Sequence, residues 1–259
     1  MPKNFFSPET LGGEYPELER DLRLGTPTAV FGVSAAHKAL IAAACVPGRF
    51  VYVAADAQTA ARMAEEIAGF AGERPALLCA KDEVLLYKEA VSRDSLFRRL
   101  EALHRIRQGA RRIVCDVESL MQLFPAEVPC LTLREGEEVD FADLPRRLVD
   151  MGYVRGTAVE SRGCFALRGD ILDIFPVGAD DPVRVDFFGD TVEKIKPYSF
   201  ATGERLALAP SLEIVAATDI QIGEEERAAI KDAMAAELSS WKDAAAYERA
   251  QTIAGDVAA

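Results

Sequence analysis

Histidine is nearly absent from this chain: its 259 residues include two, His37 and His104. A serine–histidine–aspartate triad or a histidine-rich zinc cage would need residues that are scarcely there. The five cysteines, Cys45, Cys79, Cys115, Cys130 and Cys164, form no CxxC pair. Their odd number and scatter suit reduced thiols rather than a disulfide framework, and no metal site is expected. No apolar run approaches the ~18 residues that span a bilayer. The N-terminal stretch MPKNFFSPETLGGEYPELER lacks the apolar core of a signal peptide, so the expectation is a cytoplasmic protein with no membrane partner. Positive charge is also short. Thirty Lys and Arg face 42 Asp and Glu, for a net charge of −12. That balance opposes nonspecific binding to nucleic-acid phosphates.

The composition, 49% hydrophobic and 28% charged, is that of a globular chain with room for one large or two ordinary domains. After a helix at Tyr15–Leu24, strand and helix patterns alternate. Strands are expected at Thr28–Val33, Phe50–Ala54, Ala76–Cys79 and Arg112–Cys115. Helices are expected at Ala35–Cys45, at Ala57–Phe70 behind an Asp56 cap, and at Ser95–Gln108, with a short one at Glu118–Phe124. This pattern predicts an α/β fold, a parallel sheet with helices on both faces, over residues 1–124. Pro125 and Pro129 mark a boundary. Residues 125–208 read as a β-rich α+β module with one short helix at Asp140–Met151. Residues 209–259 supply a strand at Leu212–Val215 and an alanine-rich helix at Glu224–Asp256. That helix carries Ile230, Met234, Leu238, Trp241 and Ala245 on one stripe, which is expected to pack on its own domain.

The first strand-to-helix turn, Gly32-Val33-Ser34-Ala35-Ala36-His37-Lys38-Ala39, sits where α/β folds hold phosphate. Gly32 and Lys38 fall at the spacing of a P-loop, G-x-x-x-x-G-K-[ST]. His37 replaces the second glycine, and Ala39 replaces the hydroxyl that ligates magnesium. The site reads as degenerate, so no nucleotide or metal cofactor is expected for this chain. Arg98, Arg99, Arg105 and Arg107, with Arg111 and Arg112 beyond, could form a phosphate-binding face. At helical spacing they spread around the axis instead, and the simpler reading is a solvated face.

The most informative stretch is Arg168–Asp190, RGDILDIFPVGADDPVRVDFFGD. It reads as three short strands closed by turns, the last offering a Gly189-Asp190 hairpin. Side chains two apart share a strand face. Phe165, Leu167, Val183, Val185 and Phe187 therefore point to a core, while Arg168, Arg184, Asp186 and Phe188 point away. Two arginines and an aromatic on one outward surface are the residue types that dominate protein–protein contacts. Asp170 and Asp173 read as structural or turn partners. Asp186 reads as a surface residue able to orient Arg184, rather than as a catalytic acid.

RGxxxDxFP followed by R-x-[DE]-F-F-G-D resembles a segment shared by the excision-repair protein UvrB and the transcription-repair coupling factors. The resemblance extends more weakly over residues 15–220. It implies a degenerate P-loop domain, like the first domain of UvrB but without its nucleotide site, holding an inserted UvrB-interaction-type module. It implies that this module binds UvrA and that Arg168, Arg184 and Phe188 make the contact. It also implies that the 212–215 strand rejoins the first domain. The family's Asp82–Tyr87 segment is followed here only by Lys88–Asp94, too short for the DNA-clamping hairpin of UvrB. The function implied is recruitment of UvrA to stalled RNA polymerase in transcription-coupled nucleotide excision repair. Polymerase and double-stranded DNA would be engaged, and ATP used, by C-terminal domains not found here, so the chain reads as part of a longer protein and not itself as an enzyme. The competing readings are a UvrB-type subunit that binds ATP and damaged DNA, and nonspecific DNA binding through the arginines.

Overall fold

The computed structural model describes residues 6–81, 93–125, 127–220 and 224–239. The family-like segment Asp82–Tyr87 and most of Lys88–Asp94 lie outside the described residues.

The first unit runs α1 (Pro8–Leu11), α2 (Tyr15–Arg23), α3 (Ala35–Ala44), β1 (Phe50–Ala54), α4 (Ala57–Ala71), β2 (Ala76–Leu78), α5 (Asp94–Arg107), β3 (Arg112–Asp116) and α6 (Val117–Met121). Its three strands are parallel in the order β1-β3-β2. Local chemistry sets the helix ends. Asp56 accepts a 2.7 Å hydrogen bond from the Thr59 N–H, which also holds its carboxyl below the usual range. Gly72 closes α4 in the left-handed conformation. One sheet face packs on α3 and α4 through small residues: Ala39, Ala42, Ala60 and Ala64, with Met63 and Ile67. The other face meets α5 through Leu78, Cys115, Leu100 and Leu103.

The expected strand at Thr28–Val33 does not form. Its β-branched and aromatic residues carry strand propensity, but propensity without a ladder partner is not a strand. Gly32, at φ 72°, also breaks the extended line. The segment instead crosses α2 and α3, lining a depression with Leu18 and Ile41, and leaves Phe31 87% exposed. Val51 and Val53 of β1 are consequently about half exposed at 51% and 49%.

The second unit begins with β4 (Cys130–Arg134) and α7 (Leu144–Asp150). Then come β5 (Val154–Arg155), β6 (Cys164–Arg168), β7 (Ile171–Ile174), β8 (Val183–Phe188) and β9 (Thr191–Pro197), a sheet in sequential order. Strand β10 (Ser211–Val215) follows, then α8 (Glu224–Ser239). Along β8 burial alternates without a slip: Val183, Val185 and Phe187 are buried, Arg184 and Phe188 exposed. Between β8 and β9 the register jumps, with Asp186 opposite Lys194 and Phe187 opposite Val192. The extra residue, Glu193, lets Val192 and Ile195 both reach the core although they are three apart. Phe165, Leu172, Ile174 and Val185 are fully buried there, and Leu167 packs at the margin.

Strand β10 returns to the first unit as expected through Val215, which packs with α5, while its ladder partner is β4, antiparallel, rather than a strand of the parallel sheet. Alternation gives the ribbon two loyalties: Leu212 and Ile214 join the second core, while Val215 packs with α5. The stripe on α8 is not buried where described, since Ile230 is exposed and Met234 half-buried. Trp241 and Ala245 lie outside the described residues, as does the side chain of Leu238. Among the described residues no helix is long and apolar enough to cross a membrane.

The units are joined tightly. Phe97 of α5 is part of the second core. Gly163 lies against its ring at φ 79°, where a Cβ would come within 2.7 Å of the ring edge. Arg93 donates to the Ala217 carbonyl at 2.7 Å. Tyr153, 2% exposed, donates its hydroxyl to the Val215 carbonyl (2.8 Å) and accepts from the Val177 N–H (3.2 Å). Burial pushes that phenol well above its ordinary range, so it stays protonated.

Val185→Ala is expected to lower unfolding free energy by about 1–3 kcal/mol, read by denaturant titration. An unchanged midpoint would mean that the strand faces are assigned backwards. Tyr153→Phe removes one hydrogen-bond partner from each of two buried backbone groups and is expected to cost about 1–3 kcal/mol in the same assay.

Candidate partner-binding surface

The outward face of the β6–β9 sheet is organised by register. Across the strands Ala166 lies opposite Asp173, Asp173 opposite Arg184, and Arg184 opposite Lys196. A second row runs Arg168, Ile171, Asp186, Lys194. Arg168 therefore sits two strands from β8, level with Asp186, between the levels of Arg184 and Phe188. On standard sheet spacings that is about 10 Å across and about 7 Å along from each.

Arg184 grips Asp173 side-on: Nε donates to Oδ1 at 2.7 Å and Nη2 to Oδ2 at 2.9 Å. Asp173 is 7% exposed, whereas the Arg184 side chain is 46% exposed. Hydrogen bonding to Asp173 raises the already high Arg184 pKa. The guanidinium also stands 5.9 Å from the centroid of the Tyr198 ring, within cation–π range. Asp186 is not what orients Arg184, contrary to expectation; it pairs with Lys196. Asp173 wins because it lies directly across the ladder from Arg184, a relation invisible until β7 and β8 are paired. Arg184 is thus part of the fold as well as of the surface.

Phe188 has no such tie. It is 81% exposed at the end of β8, just before the Gly189-Asp190 turn. Gly189 takes φ 59° at the first central position, where a two-residue II′ hairpin requires it. A phenyl ring held on a tight hairpin loses little further entropy when a partner covers it. Arg168 is exposed and donates to the Thr157 carbonyl at 2.8 Å, which leans it toward the 156–160 loop. Between these groups Arg184, Lys196, Tyr198 and Arg205 line a depression of about 380 Å³. Tyr198 and Arg205 were missed from the sequence; they follow β9, where no alternation guides assignment.

The P-loop-like residues are not gathered into a cradle. Ser34 caps α3 by accepting the His37 N–H at 3.3 Å, and His37 and Lys38 project from the first helical turn into solvent. Ala39 is fully buried against α4, so the position where a P-loop places a magnesium ligand serves packing here. Gly32 opens on empty space.

The arginines of α5 and just beyond it are in part the solvated face expected, with Arg98, Arg107 and Arg111 exposed, but others are drawn into the fold. Arg99 is 2% exposed and donates to the carbonyls of Cys79 (2.8 Å) and Leu123 (3.1 Å). Arg105 donates to Arg74 and Pro75, and Arg107 to Pro125. These guanidinium groups tie loops to the helix. Asp170 is a turn residue whose carbonyl accepts from Phe187 at 2.8 Å, and Asp173 is a structural partner.

Residues 131–219 match the UvrB interaction domain family. The transcription-repair-coupling factor of Myxococcus xanthus is 32% identical over 233 residues, 83% of this chain and 19% of that protein. That of Bacillus subtilis is 28% identical over 175 residues, 65% of this chain and 15% of that protein. The UvrABC system protein B of Agathobacter rectalis is 47% identical over 75 residues, 29% of this chain and 11% of that protein. The chain thus spans under a fifth of the length of these relatives. Residues 131–219 are thus similar to UvrB interaction domains, and the chain is similar over most of its length to the transcription-repair-coupling factors.

Proposed function

We propose that the chain is the UvrA-recruiting part of a transcription-repair coupling factor and that it meets UvrA through Arg168, Arg184 and Phe188. The observation that carries this reading is Phe188: a large aromatic, 81% exposed, fixed on a hairpin of the stretch similar to UvrB interaction domains, beside an arginine already oriented by Asp173. Nothing in the fold requires a phenyl ring there. The arginines would meet carboxylates on UvrA and the ring would fill an apolar pocket. Coupling-factor relatives align along most of the chain, whereas the UvrB relative from Agathobacter aligns with 29% of it, which favours the coupling factor over a UvrB subunit. Engagement of stalled RNA polymerase and ATP-driven movement on double-stranded DNA belong, in this proposal, to segments of a longer protein.

The first unit, in the same proposal, is a P-loop relic without nucleotide or magnesium. Supporting this are the missing strand before Gly32, the exposed His37 in place of a glycine and the buried Ala39 in place of a hydroxyl. Calorimetric titration with Mg-ATP is expected to give no heat of binding, and micromolar affinity would refute the relic.

Phe188→Ala is expected to weaken UvrA binding by about 1–3 kcal/mol and to leave unfolding free energy within about 0.5 kcal/mol of the parent. Arg184→Ala strands the buried Asp173 carboxylate, so it is expected to lower stability by about 1–3 kcal/mol as well as affinity. Paired measurements of UvrA affinity and chemical denaturation distinguish the two. Undiminished affinity in Phe188→Ala would place the contact elsewhere.

A further inference from the structure

Away from the UvrA-facing sheet, three side chains of different chemistry converge where the two units meet. His104 comes from the last turn of α5, Cys130 opens β4, and Glu213 lies in the middle of β10. His104 and Glu213 are 109 residues apart in sequence, yet His104 Nε2 and Glu213 Oε2 stand at 3.3 Å. The imidazole nitrogen, the Cys130 Sγ and a Glu213 oxygen all lie within 4.8 Å of one another. His104 is 8% exposed, which fixes its ring, while Cys130 and Glu213 are open to solvent. The Cys130 thiol lies 3.9 Å from the carbonyl of its own neighbour, Leu131, and also meets the Ile214 backbone and the Thr132 side chain.

We propose that His104, Cys130 and Glu213 bind a zinc-class divalent cation. Imidazole, thiolate and carboxylate are the donors zinc selects, whereas calcium and magnesium prefer oxygen alone. Metal–ligand bonds of about 2.0–2.3 Å put tetrahedral donors roughly 3.3–3.8 Å apart, so separations within 4.8 Å need to close by no more than about 1.5 Å. The open side leaves the fourth position to water. On binding, the thiol gives up its proton to solvent and the metal takes the thiolate. The ion would clasp α5 of the first unit to the β4–β10 ribbon that carries the second, reinforcing the junction from which the partner-binding sheet projects.

The test uses the reduced, metal-free 259-residue chain. Zinc titrated by calorimetry is expected to bind at one equivalent and to raise the melting temperature. Cobalt(II) alone is expected to give a thiolate-to-metal charge-transfer band that zinc abolishes. Cys130→Ser should lose the band, and Glu213→Gln, altered at an exposed side chain, should weaken zinc by roughly tenfold or more. Glu213→Gln decides the matter if Cys130→Ser fails to fold. Absence of the band, its survival in Cys130→Ser, or unchanged zinc affinity in Glu213→Gln would each overturn the proposal; survival in Cys130→Ser would assign the metal to another cysteine.

Discussion

One-sided burial of the β6–β9 sheet is the constraint on which the rest depends. A strand's side chains alternate between faces, so a slip by one residue would send Val183, Val185 and Phe187 into water and Arg184 and Phe188 into the core. Register is therefore held chiefly by the hydrophobic effect, at about 1.5–3 kcal/mol for each large apolar side chain buried, with the Gly189-Asp190 hairpin and the Arg184–Asp173 pair agreeing with it. The bulge at Glu193 shows the same force at work, because β9 gives up regular pairing to keep both Val192 and Ile195 inside. With the inner face so committed, the outer face inherits a fixed geometry. Arg168, Arg184 and Phe188 are spaced by the sheet, not by one another.

A surface of fixed spacing is useful to a partner only if the sheet is itself held still, and α5 does this. It packs on the parallel sheet through Leu100 and Leu103, yet it places Phe97 in the second core. Gly163 is shaped to that ring, and Arg93 reaches the chain beyond β10. The β4–β10 ribbon answers from the other side, with Ile214 facing the second core and Val215 facing α5. Two units with separate cores thus share a helix and a ribbon, and no flexible linker separates them among the described residues.

Much of this was legible in the sequence where a period had a physical cause. Strand β1 appears as expected, α4 matches within a residue, and Asp56 and Gly72 cap it as their chemistry dictates. The faces of β8 followed from alternation alone. What was not legible was pairing. Thr28–Val33 has the composition of a strand but no ladder, and composition cannot report a missing neighbour. Strand β10 was assigned correctly, but its partner β4 is nearly 80 residues earlier, and nothing local names it. The same blindness hid Asp173 behind Arg184. It also hid the cluster at His104, Cys130 and Glu213, whose members are drawn together by the pairing of β4 with β10 and the packing of α5 on that ribbon.

Asp173 explains why an arginine, and not another cation, suits position 184. A carboxylate 7% exposed needs a partner that satisfies both oxygens. A lysine would bring one ammonium on a flexible stem, whereas the guanidinium brings a planar fork of five donors. Arg184 spends Nε and Nη2 on Asp173, which fixes its plane and leaves its remaining N–H groups available at a side chain 46% exposed. Orientation is thus settled before any partner arrives, so a carboxylate approaching from outside meets a rigid donor and little side-chain entropy is lost on contact. Phe188 reaches the same end by a different route, with the hairpin backbone rather than a salt bridge fixing its direction. The two residues differ in what they cost the fold: Arg184 repays its place by neutralising Asp173, while Phe188 exposes an apolar ring with no internal return, and burial of that ring against a partner is the contribution that can offset it.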